Sequence, residues 1–345
     1  MGRPHRRTSP EVRTLLTIVS ILPVLATLLV AQEPQRIVVR SSSKPPALMK
    51  DMTPIAPPAD NPVTPAKVAL GKRLFFDRML SRDRSVSCST CHDPERAFAD
   101  DKTLAVGVFG RVGKRHSPTL INRGFGRMHF WDGRAATLEA QVLQPISDVN
   151  EMDLTVEEAV ARLQGDTQYV AEFRDVFDAA PSARDLGHAL ATFLRSLRAD
   201  DSAYDRFMTG DTNALSAEEQ RGMQVFRQKG RCFICHLEPL FSDDGLHNTG
   251  VAWDPETSSY KDDGRFAVSN RAADRGRFKT PTLRDISRSA PYMHDGSLAT
   301  LADVVDFYDR GGRPNPGLFP LIQPLGLLPE EKAALVKFLE ALNSR

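Results

Sequence analysis

The sequence predicts an all-α fold built from two tandem, internally related halves. Three observations carry that prediction. An ordered block of short motifs occurs twice in the chain, as in repeat architectures. Each copy opens on a helix-start signal and closes on an apolar pattern of helical period, at Asp185 to Leu197 and at Pro329 to Leu342. The alternation expected of half-buried strands is scarce.

The 345 residues leave room for two domains of ordinary size. A formal net charge of +1 points to neither a nucleic-acid nor an acidic-surface partner. The chain begins with Arg3, Arg6, Arg7 and Arg13, and then runs almost wholly apolar from Leu15 to Ala31. This reads as a secretory signal peptide ending at Ala31, or, since the run nearly matches a bilayer, as an uncleaved N-terminal anchor over residues 1–31. Both readings put the folded part outside the cytoplasm. Residues 32–61 are rich in Pro, Ser and Ala and read as a tether. The two domains then fall at 62–205 and 206–345.

In the first domain, Thr64 is the expected N-cap of a helix with Pro65 at its first position. In the second, Ser216 to Glu219 forms a capping box leading into Met223 to Phe226. Downstream, Ser117-Pro118-Thr119-Leu120, Phe130-Trp131-Asp132-Gly133-Arg134 and Thr137-Leu138 stand in one half. Thr280-Pro281-Thr282-Leu283, Tyr292 to Ser297 and Thr300-Leu301 stand in the same order in the other.

Between these signals lie all four cysteines, as Cys88-Ser-Thr-Cys91-His92 and Cys232-Phe-Ile-Cys235-His236. In an oxidising compartment disulfides are one reading, and a tetrathiolate zinc site is another. Neither explains a histidine directly after each pair. C-x-x-C-H is the attachment signature of c-type haem: Cys88, Cys91, Cys232 and Cys235 would form thioethers, and His92 and His236 would ligate the irons. Export agrees with this, because bacterial haem attachment takes place outside the cytoplasm. The fold expected is therefore two tandem cytochrome c-like haem domains, with haem forming much of each core.

The motifs named above, with Phe75-Phe76-Asp77, Gln141, Pro145, Glu151-Met152, His247-Asn248 and Pro291 to Gly296, resemble the bacterial dihaem cytochrome c peroxidase and MauG-like family over roughly residues 62–342. The resemblance implies that the N-terminal haem meets hydrogen peroxide. The C-terminal haem would receive electrons from a small cytochrome c or cupredoxin. It implies Trp131 as a bridge between the haems and Glu151 as the distal acid–base, with Gln141 and Pro145 beside it. O–O heterolysis supplies the reason for the acid: one oxygen must lose its proton and the other must gain one. A homodimer is also implied.

Two positions depart from the peroxidase pattern. Where many members carry a distal histidine that closes the first haem, this chain has Val108, which cannot ligate iron. Where many carry a distal methionine on the second haem, it has Tyr308, in Asp306-Phe307-Tyr308-Asp309-Arg310-Gly311-Gly312. That stretch resembles the MauG-type motif with tyrosine as axial ligand. A phenolate ligand favours ferric iron and lowers the potential relative to methionine. A calcium ion between the haems is a further expectation of the family, through the carbonyls of Ser289 and Pro291. The usual asparagine is replaced by His116, a poor calcium ligand.

Plainer readings compete at each position. Trp131 also suits a core filler, Glu151 a solvated loop acid, Tyr308 a core residue on the helix from Leu301, and Met152 and Met293 ordinary packing. His188 reads as a surface or helix-packing residue, and neither His247 nor His294 as an iron ligand. For function, the leading expectation is a peroxidase reducing hydrogen peroxide to water. The alternative is a MauG-like enzyme that uses a high-valent dihaem state to oxidise residues of a partner protein. A non-catalytic dihaem electron carrier is the third.

Overall fold

Helices begin where the sequence puts its caps. The computed structural model describes residue 52 and residues 54–345, so the expected signal or anchor and most of the tether lie outside the described residues. Thr64 Oγ1 accepts the Lys67 N–H at 3.2 Å and starts α1 (Pro65–Phe76). The haem-type motif follows in the single turn α2 (Cys88–Cys91). Then come α3 (Leu138–Val142), α4 (Gln144–Ser147), α5 (Val156–Gln164), α6 (Thr167–Phe177) and α7 (Ala183–Ser196). The chain continues through α8 (Ala203–Met208), α9 (Ala217–Arg227), α10 (Phe266–Ser269), α11 (Leu301–Asp309) and α12 (Pro329–Glu340). Ser216 and Glu219 form the expected reciprocal box ahead of α9.

Two helix ends differ from expectation. α7 starts two residues before the expected Asp185 because Ser182 caps it: its Oγ accepts the Asp185 N–H at 3.1 Å. α12 stops at Glu340, where the chain turns and the Leu342 carbonyl accepts the Asp285 N–H at 3.2 Å.

Strand structure is confined, among the described residues, to four two-residue pieces: β1 (Leu246–His247), β2 (Trp253–Asp254), β3 (Ser259–Tyr260) and β4 (Phe278–Lys279). β1 pairs antiparallel with β4, and β2 with β3. They tie off an excursion between residues 246 and 279. Among the described residues, no helix is long and apolar enough to cross a membrane.

Two larger hydrophobic clusters form, one drawn from residues 70–194 and one from residues 204–342. In the first, α1 crosses α7 at Gly71, where a Cβ would lie 2.0 Å from the Ala189 carbonyl oxygen and 2.9 Å from Phe193 Cβ. In the second, α9 crosses α12 at Gly222, where a Cβ would lie 1.9 Å from the Ala334 carbonyl oxygen and 2.7 Å from Phe338 Cβ. Three phenylalanines pack around each crossing. Phe75 meets Phe98 and Phe193 at 6.0 and 5.1 Å, and Phe226 meets Phe241 and Phe338 at 5.7 and 5.4 Å.

The expected tether does not stay loose to its end. Asn61 is fully buried, donating to Glu139 Oε1 at 2.8 Å and accepting from Lys67 Nζ at 3.0 Å. His188 is buried on α7, in keeping with a packing residue.

A methyl group at Gly222 must push two helices apart. Gly222→Ala is expected to lower unfolding free energy by about 1–3 kcal/mol, the usual range for overpacking, in chemical denaturation of the holoprotein. An unchanged denaturation midpoint would contradict this account of the crossing.

Candidate active site

Folding brings every residue singled out for attachment, ligation or catalysis to the walls of two cavities. The first encloses about 720 Å³ and is lined by Cys88, Cys91, His92, Trp131, Gln141, Pro145 and Glu151. His92 Nδ1 lies 3.0 Å from the Phe98 carbonyl oxygen. That carbonyl accepts a hydrogen bond from Nδ1–H, which keeps the proton on Nδ1 and leaves the lone pair on Nε2, the arrangement a metal-ligating histidine needs. Burial lowers the His92 pKa to about 4 and raises that of Cys88 to about 12, so the ring stays neutral.

The second cavity, of about 220 Å³, is lined by Cys232, Cys235, His236, Met293, His294 and Tyr308. His236 Nδ1 lies 2.8 Å from the Phe241 carbonyl oxygen, so its Nε2 is free in the same way. Phe98 and Phe241 both hold left-handed backbone, with φ of 56° and 53°, which aims their carbonyls back at the rings. A paired thiol set and a neutral imidazole with an unshared Nε2 in each cavity fit covalently attached haem.

On the first cavity, the backbone of Glu151 is held by the loop 107–108. The Val108 N–H donates to the Glu151 carbonyl at 2.8 Å, and Gly107 packs so tightly that a Cβ there would lie 2.2 Å from the Asn150 and Glu151 carbonyl oxygens. Burial, helped by Asp148 and opposed by Arg134, raises the Glu151 pKa to about 7. A carboxyl poised there both gives and takes a proton near neutrality. Val108 is fully buried in the first hydrophobic cluster, so it supports Glu151 from behind. Met152 packs in the same cluster.

Trp131 lines both cavities. Its Nε1 donates to the His116 carbonyl at 2.8 Å, and its ring meets His294 edge-on at 6.4 Å. On the second cavity, burial and the nearby cysteines push the Tyr308 phenol well above its usual pKa. His116 offers no oxygen donor on its ring, and its Nδ1 is engaged by the Lys102 carbonyl at 2.8 Å. This is a poor match to calcium. His247 Nε2 pairs with Asp243 Oδ2 at 2.8 Å.

Sequence reasoning missed Lys279, which lines both cavities. Burial lowers its pKa to about 7, with Arg123 adding to the effect and Asp244, 3.7 Å away, opposing it. Nothing in its local sequence marks it. Arg134 was legible only as the end of a motif, and its guanidinium stacks 3.4 Å from the Phe130 ring.

Two cavities, each lined by a C-x-x-C-H motif and sharing Trp131, are the arrangement of a dihaem c-type cytochrome. Comparison with known proteins agrees. A family model described as di-haem cytochrome c peroxidase matches residues 65–213. The methylamine utilization protein MauG of Methylorubrum extorquens is 41% identical over 83% of this chain and 81% of its own. The cytochrome-c peroxidase IdrP2 of Denitromonas iodatirespirans is 36% identical over 80% of this chain and 81% of its own. Among solved structures, a MauG-like protein associated with microbial copper homeostasis superposes with a TM-score of 0.81 at 33% identity, covering 86% of this chain and 95% of that one. The chain belongs to the di-haem cytochrome c peroxidase family.

The raised Glu151 pKa has a stability consequence. Its folded value of about 7 stands above the ordinary 4.5, so its contribution is fully present below pH 4.5 and lost as pH rises through 7. Glu151→Gln is therefore expected to raise the holoprotein Tm at pH 8 and leave it nearly unchanged at pH 4.5. Equal shifts at both pH values would contradict a buried, proton-binding carboxyl.

Proposed function

We propose that this chain is a dihaem c-type peroxidase that reduces hydrogen peroxide to water with electrons from a small periplasmic redox protein, a cytochrome c or cupredoxin. The observation that carries the reading is Glu151, sequestered in the wall of the cavity that holds His92, with its proton affinity matched to neutral pH. Haem, when bound, supplies the iron that takes up peroxide and the electrons that cleave its O–O bond. The reaction consumes two electrons and two protons per peroxide and yields two waters. Glu151 accepts the proton from the oxygen that meets iron and delivers it to the oxygen that leaves. Gln141 orients the peroxide beside it. Trp131 carries electrons between the sites, a role supported by its presence in both cavity walls.

In this reading residues 62–205 form the peroxidatic domain and residues 206–345 the electron-transfer domain, related by an internal repeat. The matched Gly71 and Gly222 crossings support the repeat, as do the matched carbonyls on His92 and His236. Cys88, Cys91, Cys232 and Cys235 would hold the two haems, His92 and His236 would ligate them, and Tyr308 would supply a further protein ligand in the C-terminal domain. Val108 carries no atom that could ligate iron, so in this reading no side chain at 108 would have to be displaced before peroxide enters. Export through the N-terminal segment and a homodimer belong to the same proposal. A calcium ion between the haems is disfavoured by His116, and no step depends on one.

A second reading has a specific observation behind it. Tyr308 stands in the second cavity beside Cys232, Cys235 and His236, and one relative 41% identical over most of the chain is named as a MauG protein. In that reading the enzyme oxidises residues of a partner protein.

Steady-state peroxide consumption with a reduced small cytochrome c or cupredoxin tests the primary reading. Turnover is expected to rise with pH through about 7 as Glu151 deprotonates. Glu151→Gln should lower kcat/KM by about 10²–10⁴-fold, the range for loss of a general acid–base, and flatten that pH profile. Peroxide-driven modification of a partner protein without donor turnover would favour the second reading.

A further inference from the structure

The loop that carries Trp131 is gripped by residues from the far end of the 246–279 excursion. Arg115 bridges two carboxylates: Nη1 donates to Asp132 Oδ2 at 2.6 Å, while Nε and Nη2 donate to Asp262 Oδ2 and Oδ1 at 2.7 and 3.0 Å. The side chains of Arg115, Asp132 and Asp262 are only 17, 7 and 20% exposed. A bidentate arginine–carboxylate pair so shielded fixes direction as well as distance.

The backbone is held as closely. Arg265 Nη1 donates to the carbonyls of Asp132 and Gly133 at 3.1 and 2.8 Å. The Lys279 N–H donates to the Trp131 carbonyl at 2.7 Å. Three successive carbonyls, at 131, 132 and 133, are thus taken by groups from residues 265 and 279. The indole itself is bonded to the His116 carbonyl and leans on His294, whose ring stacks on Phe278 at 3.6 Å. Both residues of β4 therefore bear on Trp131, Lys279 on its carbonyl and Phe278, through His294, on its ring.

We propose that Arg115, Asp262 and Arg265 are positioning residues for electron transfer between the two haem sites, holding the Trp131 indole at a fixed separation and angle to both. This rests on the reading of Trp131 as the relay. In each transfer the indole gives one electron toward the first site and takes one from the second, so it ends unchanged. Its proton stays on Nε1 throughout, because the hydrogen-bonded acceptor is an amide carbonyl, too weak a base to remove it. The relay then depends on geometry alone, and geometry is what this network supplies.

The test uses ferric holoprotein and variants Asp262→Asn, Arg265→Met, Trp131→Phe and Trp131→Phe/Asp262→Asn. Haem content is assayed first, and stopped-flow spectra then follow one equivalent of peroxide. Asp262→Asn and Arg265→Met should slow the spectral response of the second haem by about ten- to a hundredfold, the loss a misplacement near 1 Å brings, with haem content unchanged. Hydrogen exchange across residues 128–135 should quicken in both. The double variant should be no slower than Trp131→Phe alone, because a residue acting through Trp131 has nothing left to position. Additional slowing in the double variant, or parental rates in both clamp variants, would overturn the proposal. Should Asp262→Asn lose haem, Arg265→Lys keeps the charge and carries the same comparison. An unchanged rate in Trp131→Phe would instead sink the relay reading beneath it.

Discussion

One hydrogen bond, made once in each half of the chain, governs both cofactor sites: the Nδ1 of the motif histidine to the carbonyl of a left-handed phenylalanine. For His92 the partner is Phe98, and for His236 it is Phe241. The bond fixes which ring nitrogen carries the proton and where the free lone pair points. Each phenylalanine is in turn fixed by its own ring. Phe98 packs on Phe75 and Phe193, and Phe241 on Phe226 and Phe338. Those rings belong to the helices that cross at Gly71 and Gly222. A helix crossing thereby sets the orientation of an imidazole, through one aromatic side chain and one carbonyl.

Polar groups between and around the cavities follow a different logic. Glu151 is made proton-binding by burial, and its backbone is pinned where Gly107 and Val108 lie against it more closely than a larger residue at 107 could. Arg115 sits between Asp132 and Asp262, each within hydrogen-bond reach, the pairing that burial of charges demands. One arrangement leaves a carboxyl unpaired so that it can exchange a proton. The other pairs every charge so that nothing moves.

Much of this was legible in the sequence. Helix starts at Thr64 and Ser216 were readable because capping is local chemistry. Cys88 to His92 and Cys232 to His236 were readable because attachment imposes a fixed spacing. Glu151, Trp131 and Tyr308 came from resemblance, since their roles depend on where distant segments meet. The rest was not legible for the same reason. Lys279, Asp262 and Arg265 sit in an irregular excursion whose residues look like ordinary surface charges until β1 and β4 close it. Asn61 reads as part of a tether until its amide meets Glu139 and the His188 carbonyl. Val108 was informative for the ligand it cannot be. Its burial behind Glu151 is a tertiary fact.

The proposed function requires a first site open to peroxide in the resting ferric protein and a second site closed by a protein ligand. Optical and EPR spectra of the as-isolated ferric holoprotein, taken before and immediately after one equivalent of peroxide, test it most directly. The account predicts one high-spin and one low-spin haem, with immediate change on adding peroxide. Two low-spin haems, inert until one is reduced, would reveal a protein ligand on the first iron and contradict the account.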